Sequence, residues 1–459
     1  MPACAKMVTQ VFSVNPVWLK KEVLPQMKPI PINAACACLI VLIGGLLVAC
    51  TSTTSDPVDL SASRFTQKEI DQGRMLAGLG NCAACHTNDS SKPYAGGLPV
   101  PTPFGTIYTT NITPDPGSGL GRWSEADFVR AMRKGIDREG QQLFPAFPFT
   151  HFVKAKDEDL NALYAYLMTL TPVNFDPPDN TIRFPYKMRW LQAGWKALFF
   201  DESPWQAVAG KSDEWNRGAY LAEGLGHCTA CHSPRNGFGA EKTNDAYGGA
   251  MVDKWYAPAL NADHEAPISW TFSETYDYLR LGGSALHGVA LGSMGEVVAK
   301  GLRYASDEDI RALATYISDI DGDSSNESAA AQAKIAITAA QSRSDGVVTP
   351  GSQIYAAACA SCHFNSPDKP SLLRPEMSLN SAIAMDSPDN LIRATLDGVS
   401  LESGLPGVMM PGFSALSDSD IVDLLQFMRQ SQVALPPWEN LSARVAQIRQ
   451  DATSNGARP

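Results

Sequence analysis

The sequence predicts an all-α fold made of one helical unit repeated three times in tandem. Three observations carry this expectation. A Cys-x-x-Cys-His pentapeptide recurs at 82–86, 228–232 and 359–363. Each copy is followed by two segments whose apolar residues fall at helical spacing, and stretches with strand alternation are few. The chain of 459 residues suits about three domains of ordinary size, and its apolar fraction of 44% lets each bury a core.

Taken in chain order, residues 1–49 read as a leader. Ala34 to Ala49 are sixteen uncharged, mostly apolar positions. As a helix they would reach about 24 Å, short of the ~30 Å hydrocarbon core, which favours a signal-peptide core over a full span. The run ends in Leu47-Val48-Ala49-Cys50, which resembles the lipobox of bacterial lipoproteins and marks Cys50 for lipidation. The competing reading is an uncleaved helical anchor; residues 1–26 look like an upstream start or unprocessed leader. Both readings put the body outside the cytoplasmic membrane, on its periplasmic side.

The first repeat spans 50–170. "GRMLAGLGNCAACH" is a short apolar helix leading into the pentapeptide. "SEADFVRAMRKGI" opens on an N-cap serine and closes near Gly135, and "AKDEDLNALYAYLMTL" begins with acids that complement the helix dipole. Residues 171–206 form a linker, proline-rich and then aromatic, with Trp190, Trp195, Phe199 and Phe200 among basic residues. It reads as a helix packed between repeats, with a membrane- or partner-docking surface as the alternative. The second repeat, 207–320, restates the pattern in "RGAYLAEGLGHCTACH", "FSETYDYLRLGGS" and "ASDEDIRALATYISDI". A polar linker with room for a short helix covers 321–348. The third repeat, 349–435, carries "GSQIYAAACASCH", "SPDNLIRATLDGVS" and "LSDSDIVDLLQFMRQ", and 436–459 reads as a C-terminal tail.

The pentapeptide has a specific chemistry. Two thiols at this spacing add across the two vinyl groups of a porphyrin, and the adjacent histidine turns its imidazole to the iron. The pairs Cys82/Cys85, Cys228/Cys231 and Cys359/Cys362 are thus expected to hold three covalently bound haem c groups, with His86, His232 and His363 as proximal ligands. A zinc site would need paired motifs within one domain, and these lie 146 and 131 residues apart. A thioredoxin-like reading lacks its βαβ surroundings. Cys4, Cys36 and Cys38 lie before residue 50, so no cysteine in the body is left over for a disulfide or a reactive thiol. Helix, pentapeptide, helix, helix: each repeat is a class I cytochrome c domain, so the expected fold is three such domains in tandem.

An electron carrier's iron takes a second axial ligand. Gly282 precedes Met294 by twelve residues, and Gly398 precedes Met410 by the same twelve, a spacing that selects Met410 over Met409; Met410-Pro411 also matches the Met-Pro loop common in class I cytochromes. In the first repeat, Gly135 plus twelve is Phe147, which cannot ligate iron. His151, four residues on, is expected to take its place, with an open five-coordinate iron as the next reading. Met132 and Met168 fall in periodic helices and read as core; His227, His264 and His287 are weaker candidates.

From about 65 to 435 the chain resembles the tri-haem cytochrome c subunits of periplasm-facing bacterial dehydrogenases, including those paired with quinoprotein alcohol dehydrogenases and flavin-dependent gluconate, sorbitol or fructose dehydrogenases. "LFPAFPFTHF", "LNALYAYLMTLTPV", "LQAGWKALFF" and "WNRGAYLAEGLGHCTACHSPRNGFGAE" look more like cytochromes associated with molybdenum hydroxylases of the nicotinate, isoquinoline and aldehyde type. Alcohol-dehydrogenase-like members carry Pro-Ala-Met-Pro in the first unit, so Phe147 departs from them.

The resemblance implies an electron-transfer subunit that accepts electrons from a catalytic dehydrogenase subunit and delivers them to quinone, an oxidase or another cytochrome. No constellation for substrate chemistry and no Rossmann fingerprint is present. The net charge of −11 repels phosphate backbones and argues against nucleic acid. The rivals are a peroxidase-like or nitric-oxide-binding haem enzyme using an open first haem, and a free-standing lipoprotein shuttle.

Overall fold

The computed structural model describes residues 64–322, 328–364, 370–372, 374–399 and 409–454. The described residues belong to one compact unit. The apolar run 34–49 and Cys50 lie outside the described residues, and among those described no helix is long and apolar enough to cross a membrane.

The described chain is mostly helical. A leading, a middle and a closing helix recur with each pentapeptide: Gln67–Leu79, Glu125–Lys134 and Asp157–Met168; then Asp213–Glu223, Phe272–Leu281 and Asp307–Asp321; then Pro350–Ala358, Asp389–Asp397 and Asp418–Gln432. Local sequence explains their limits. The hydroxyl of Thr66, Ser124, Ser212, Ser306, Thr349 or Ser417 accepts a backbone N–H of the first turn. Each middle helix stops at a glycine with φ near 57–86°, Gly135, Gly282 or Gly398, where a side chain would be strained.

Leading and closing helices cross at a point that tolerates no side chain. A Cβ on Gly73 would lie 1.9 Å from the Ala162 carbonyl oxygen, one on Gly218 1.9 Å from that of Ala312, and one on Gly351 2.0 Å from that of Asp423. Four residues after each of these carbonyls the Cβ of an aromatic residue, Tyr166, Tyr316 or Phe427, lies against the same glycine position. The crossing brings the pentapeptide at the end of the leading helix back over the core.

Among the described residues the strands form three two-stranded antiparallel ribbons, Pro99–Thr102 with Gly105–Tyr108, Ala250–Val252 with Trp255–Ala257, and Gly283–Ser284 with Gly288–Val289. The first two repeats are not separate cores. Leu76, Leu160 and Leu163 share one buried cluster with Leu221, Ile310 and Leu313, each such side chain contributing about 1.5–3 kcal/mol. The Tyr220 hydroxyl donates to Asp159 at 2.5 Å across this boundary, and a Cβ on Gly301 would lie 2.5 Å from the Gly78 carbonyl oxygen.

Two segments read as linker or tail are structural. Ala329–Ser344 is a sixteen-residue helix whose Ala333 and Ile337 pack with Leu286 of the second repeat and Leu379 of the third. The predicted tail contains helix Leu441–Ser454, and Trp438, Leu441, Val445 and Ile448 are buried in the third repeat's core, so that core extends well beyond 435. The second and third repeats also touch directly: Asn390 exchanges hydrogen bonds of 2.8 Å with both the N–H and the carbonyl of Tyr256.

Candidate functional site

The three pentapeptides adopt one geometry. Cys82–His86 and Thr229–His232 are single helical turns, and in the second and third copies the histidine N–H bonds the first cysteine's carbonyl at 2.9 Å. None of the six pentapeptide cysteines is in a disulfide. Burial pushes the Cys82 and Cys228 thiols up to about 12.

Each histidine is oriented from behind. Nδ1 of His86 donates to the Thr110 carbonyl at 2.6 Å, that of His232 to Pro258 at 2.7 Å, and that of His363 to Pro375 at 3.0 Å. A carbonyl can only accept, so the proton resides on Nδ1 and the lone pair on Nε2, the state that ligates a metal. The donor set of two thiols and one oriented imidazole thus fits haem c at all three places. The anchoring carbonyls escaped sequence reading: two belong to prolines, but they lie 26 and 12 residues from their histidines, and Thr110 lies 24.

The twelve-residue register also has a structural basis. Leu143 N–H bonds the Gly135 carbonyl at 2.7 Å and Ala290 N–H bonds that of Gly282 at 2.8 Å, eight residues beyond the glycine in both repeats. Phe147 and Met294 are therefore equivalent positions. Phe147 packs edge-on against Phe152, ring centres 5.4 Å apart, while Met294 lies half-buried on the shared core. In the third repeat Met410 pairs with Val399 through hydrogen bonds of 2.9 and 3.0 Å beside Gly398, and Met409 is 74% exposed. Met132 and Met168 are core residues.

His151, the expected ligand in the first repeat, has a polar partner on each nitrogen. It is buried with Nε2 2.8 Å from Glu241 Oε1 and Nδ1 3.2 Å from the Glu223 carbonyl oxygen. Both partners belong to the second repeat. Burial raises the Glu241 carboxyl, but hydrogen bonding to His151 and the charge of Arg235 outweigh it and hold the group below its usual range. Lys154 with Glu223, at 2.7 Å, completes this inter-repeat seam. The functional partner missed in the sequence is Glu241, ninety residues away, where no local pattern could signal the pairing.

His287 is the reverse case. It stacks flat on Trp270, ring centres 3.7 Å apart, buried, with neither nitrogen hydrogen-bonded. The Ser269 carbonyl is close, yet outside hydrogen-bond geometry. Burial pushes its pKa down to about 3.

With this geometry in hand, comparison with known proteins is decisive. The cytochrome c family profile matches residues 70–171 and 348–432. The chain is 35% identical over 376 residues to the cytochrome c subunit of the quinone alcohol dehydrogenase of Gluconobacter oxydans, covering 79% of this chain and 78% of that one. The chain belongs to the dehydrogenase cytochrome c subunits. It is likewise 35% identical over 406 residues to the gluconate 2-dehydrogenase cytochrome c subunit of Pantoea cypripedii, covering 84% and 90%. Against a nicotinate dehydrogenase subunit of Pseudomonas putida identity is 45% over 391 residues; that match takes in 84% of this chain but spans only 32% of the relative. Members of this family transfer electrons rather than house the substrate-oxidising site, and among the described residues of this cytochrome no group of three or more His, Cys, Asp or Glu side chains forms a separate metal site.

Proposed function

We propose that this cytochrome carries three haem c groups in three tandem class I domains and relays electrons from a catalytic dehydrogenase subunit to quinone, an oxidase or another cytochrome. The observation that carries it is the threefold Nδ1-to-carbonyl bond, which leaves Nε2 of His86, His232 and His363 as a metal lone pair beside two thiols. The middle repeat shares this geometry although the family profile matches only the flanking two. Each bound haem supplies a one-electron iron centre. Cys82, Cys85, Cys228, Cys231, Cys359 and Cys362 hold the porphyrins, and Met294 and Met410 supply thioethers, which favour ferrous iron and raise the potential. In the first repeat Phe147 occupies the thioether's place, so that site differs from the other two.

The relatives' names support a dehydrogenase partner, and the 45% identity favours one of the nicotinate dehydrogenase type. A periplasmic location, with tethering through Cys50 or an anchor helix, completes the reading. Purification from the native membrane tests it. A molybdopterin, quinoprotein or flavoprotein dehydrogenase should co-purify, and its substrate should reduce the cytochrome in the complex; a cytochrome isolated alone, with no such partner stabilised by crosslinking, would favour the shuttle instead.

A further inference from the structure

The segment between the first two repeats contains helix Leu191–Phe199, and its two faces are unequal. The inner face is fastened to the first repeat: Lys196 Nζ donates to the Gly135 carbonyl at 2.9 Å and Gln142 Oε1 at 2.5 Å, and Arg189 donates to the Gln142 carbonyl at 2.8 Å with its guanidinium 4.8 Å from the Phe144 ring centre. The outer face has no partner. Trp190, Ala193, Gly194, Ala197 and Leu198 are all exposed, Trp190 at 67% and Leu198 at 76%, and their spacing of 3, 1, 3 and 1 draws one apolar stripe along the helix. Upstream of the helix, Phe184, at 73%, and Tyr186 are exposed as well.

Two features say what covers it. The stripe is a row of small residues between two large ones, with no hydrogen-bonding side chain but the Trp190 indole and so little to specify a protein partner. Exposed Arg183 and Lys187 precede the helix and exposed Asp201 and Glu202 follow it, so the basic charge is gathered at the end that carries Trp190. An apolar face whose aromatic end also carries the basic residues fits the interface of an anionic bilayer, and nine residues, about 14 Å of helix, can lie in that interface but not cross it.

We infer that helix Leu191–Phe199 is an interfacial membrane contact that lays the first repeat on a phospholipid surface, separately from any tether at the N-terminus. It fixes orientation, which a flexible tether alone cannot do. The test is hydrogen–deuterium exchange of the full haem-loaded protein with and without vesicles. A lipid tether makes the protein float on vesicles of any composition, so the readout is local. Amides of 184–200 should exchange several-fold more slowly on phosphatidylglycerol-containing vesicles and little slower on pure phosphatidylcholine, and Lys187→Glu or Trp190→Ser with Leu198→Ser should remove the protection while haem spectra stay unchanged. Unchanged exchange of 184–200 on anionic vesicles overturns the proposal, and protection appearing only in a vesicle-free dehydrogenase complex would assign the face to a protein interface instead. Neither result bears on the haem reading.

Discussion

Phe147 and His151 stand four residues apart, and the structure gives them different work. The benzyl group fills the place that Met294 fills in the next repeat, while the imidazole joins two repeats through Glu241. His151→Ala should leave the spin state of every haem unchanged and cost about 1–3 kcal/mol of stability by leaving the Glu241 carboxylate short of a partner, read by optical spectra and thermal melts. A new high-spin band in that variant would restore His151 as a ligand. Phe147→Met should bring a thioether to the His86 iron and make one of the three potentials more positive in a redox titration. His287 predicts a pH effect. Its folded pKa, about 3, lies below the usual value of ~6.5, so the stability tied to its neutral form is complete above ~6.5 and drains away as pH falls toward 3. His287→Phe keeps the stack on Trp270 and has nothing to protonate. Its melting temperature should therefore fall less between pH 7 and 5 than the wild-type one; an equal fall would show that His287 is not buried neutral.

Among the elements, the helix crossings are the most demanding. Gly218→Ala puts a methyl 1.9 Å from the Ala312 carbonyl and should destabilise by about 1–3 kcal/mol or more, whereas at Gly194 a Cβ meets nothing and alanine should stabilise by about 0.5–1 kcal/mol. Denaturation of the two variants side by side checks the contrast. Deleting 436–459 removes Trp438, Val445 and Ile448 from the third core and should lower haem retention in that repeat, visible as a haem-to-protein ratio reduced by up to a third. These elements also mark how far the sequence could be read. The helices were legible because caps and apolar spacing are local, and the pentapeptides and the twelve-residue register were legible because they repeat. Gly73, Gly218 and Gly351 lie eight to ten residues before their cysteines, a spacing that varies, so only the crossing itself reveals their common role. Helix Leu441–Ser454 has no counterpart in the other repeats, and its short apolar positions read as tail until the third core receives them. His151 and Glu241 meet only because two repeats share one core.

At the scale of the molecule, that sharing is the main departure from three beads on a string. The first two repeats are welded through Tyr220, Asp159, His151 and Glu241, while the third is joined by Asn390, Tyr256 and the helix Ala329–Ser344. Fixed neighbours suit a relay, because one-electron transfer between centres depends on a constant separation that a flexible linker would not hold. Such a relay requires all three repeats to be loaded alike, the middle one included. Haem per polypeptide, from a pyridine haemochrome assay on purified full-length protein with the protein quantified by amino-acid analysis, measures this directly. Three haems per chain is the predicted result, and two would contradict it.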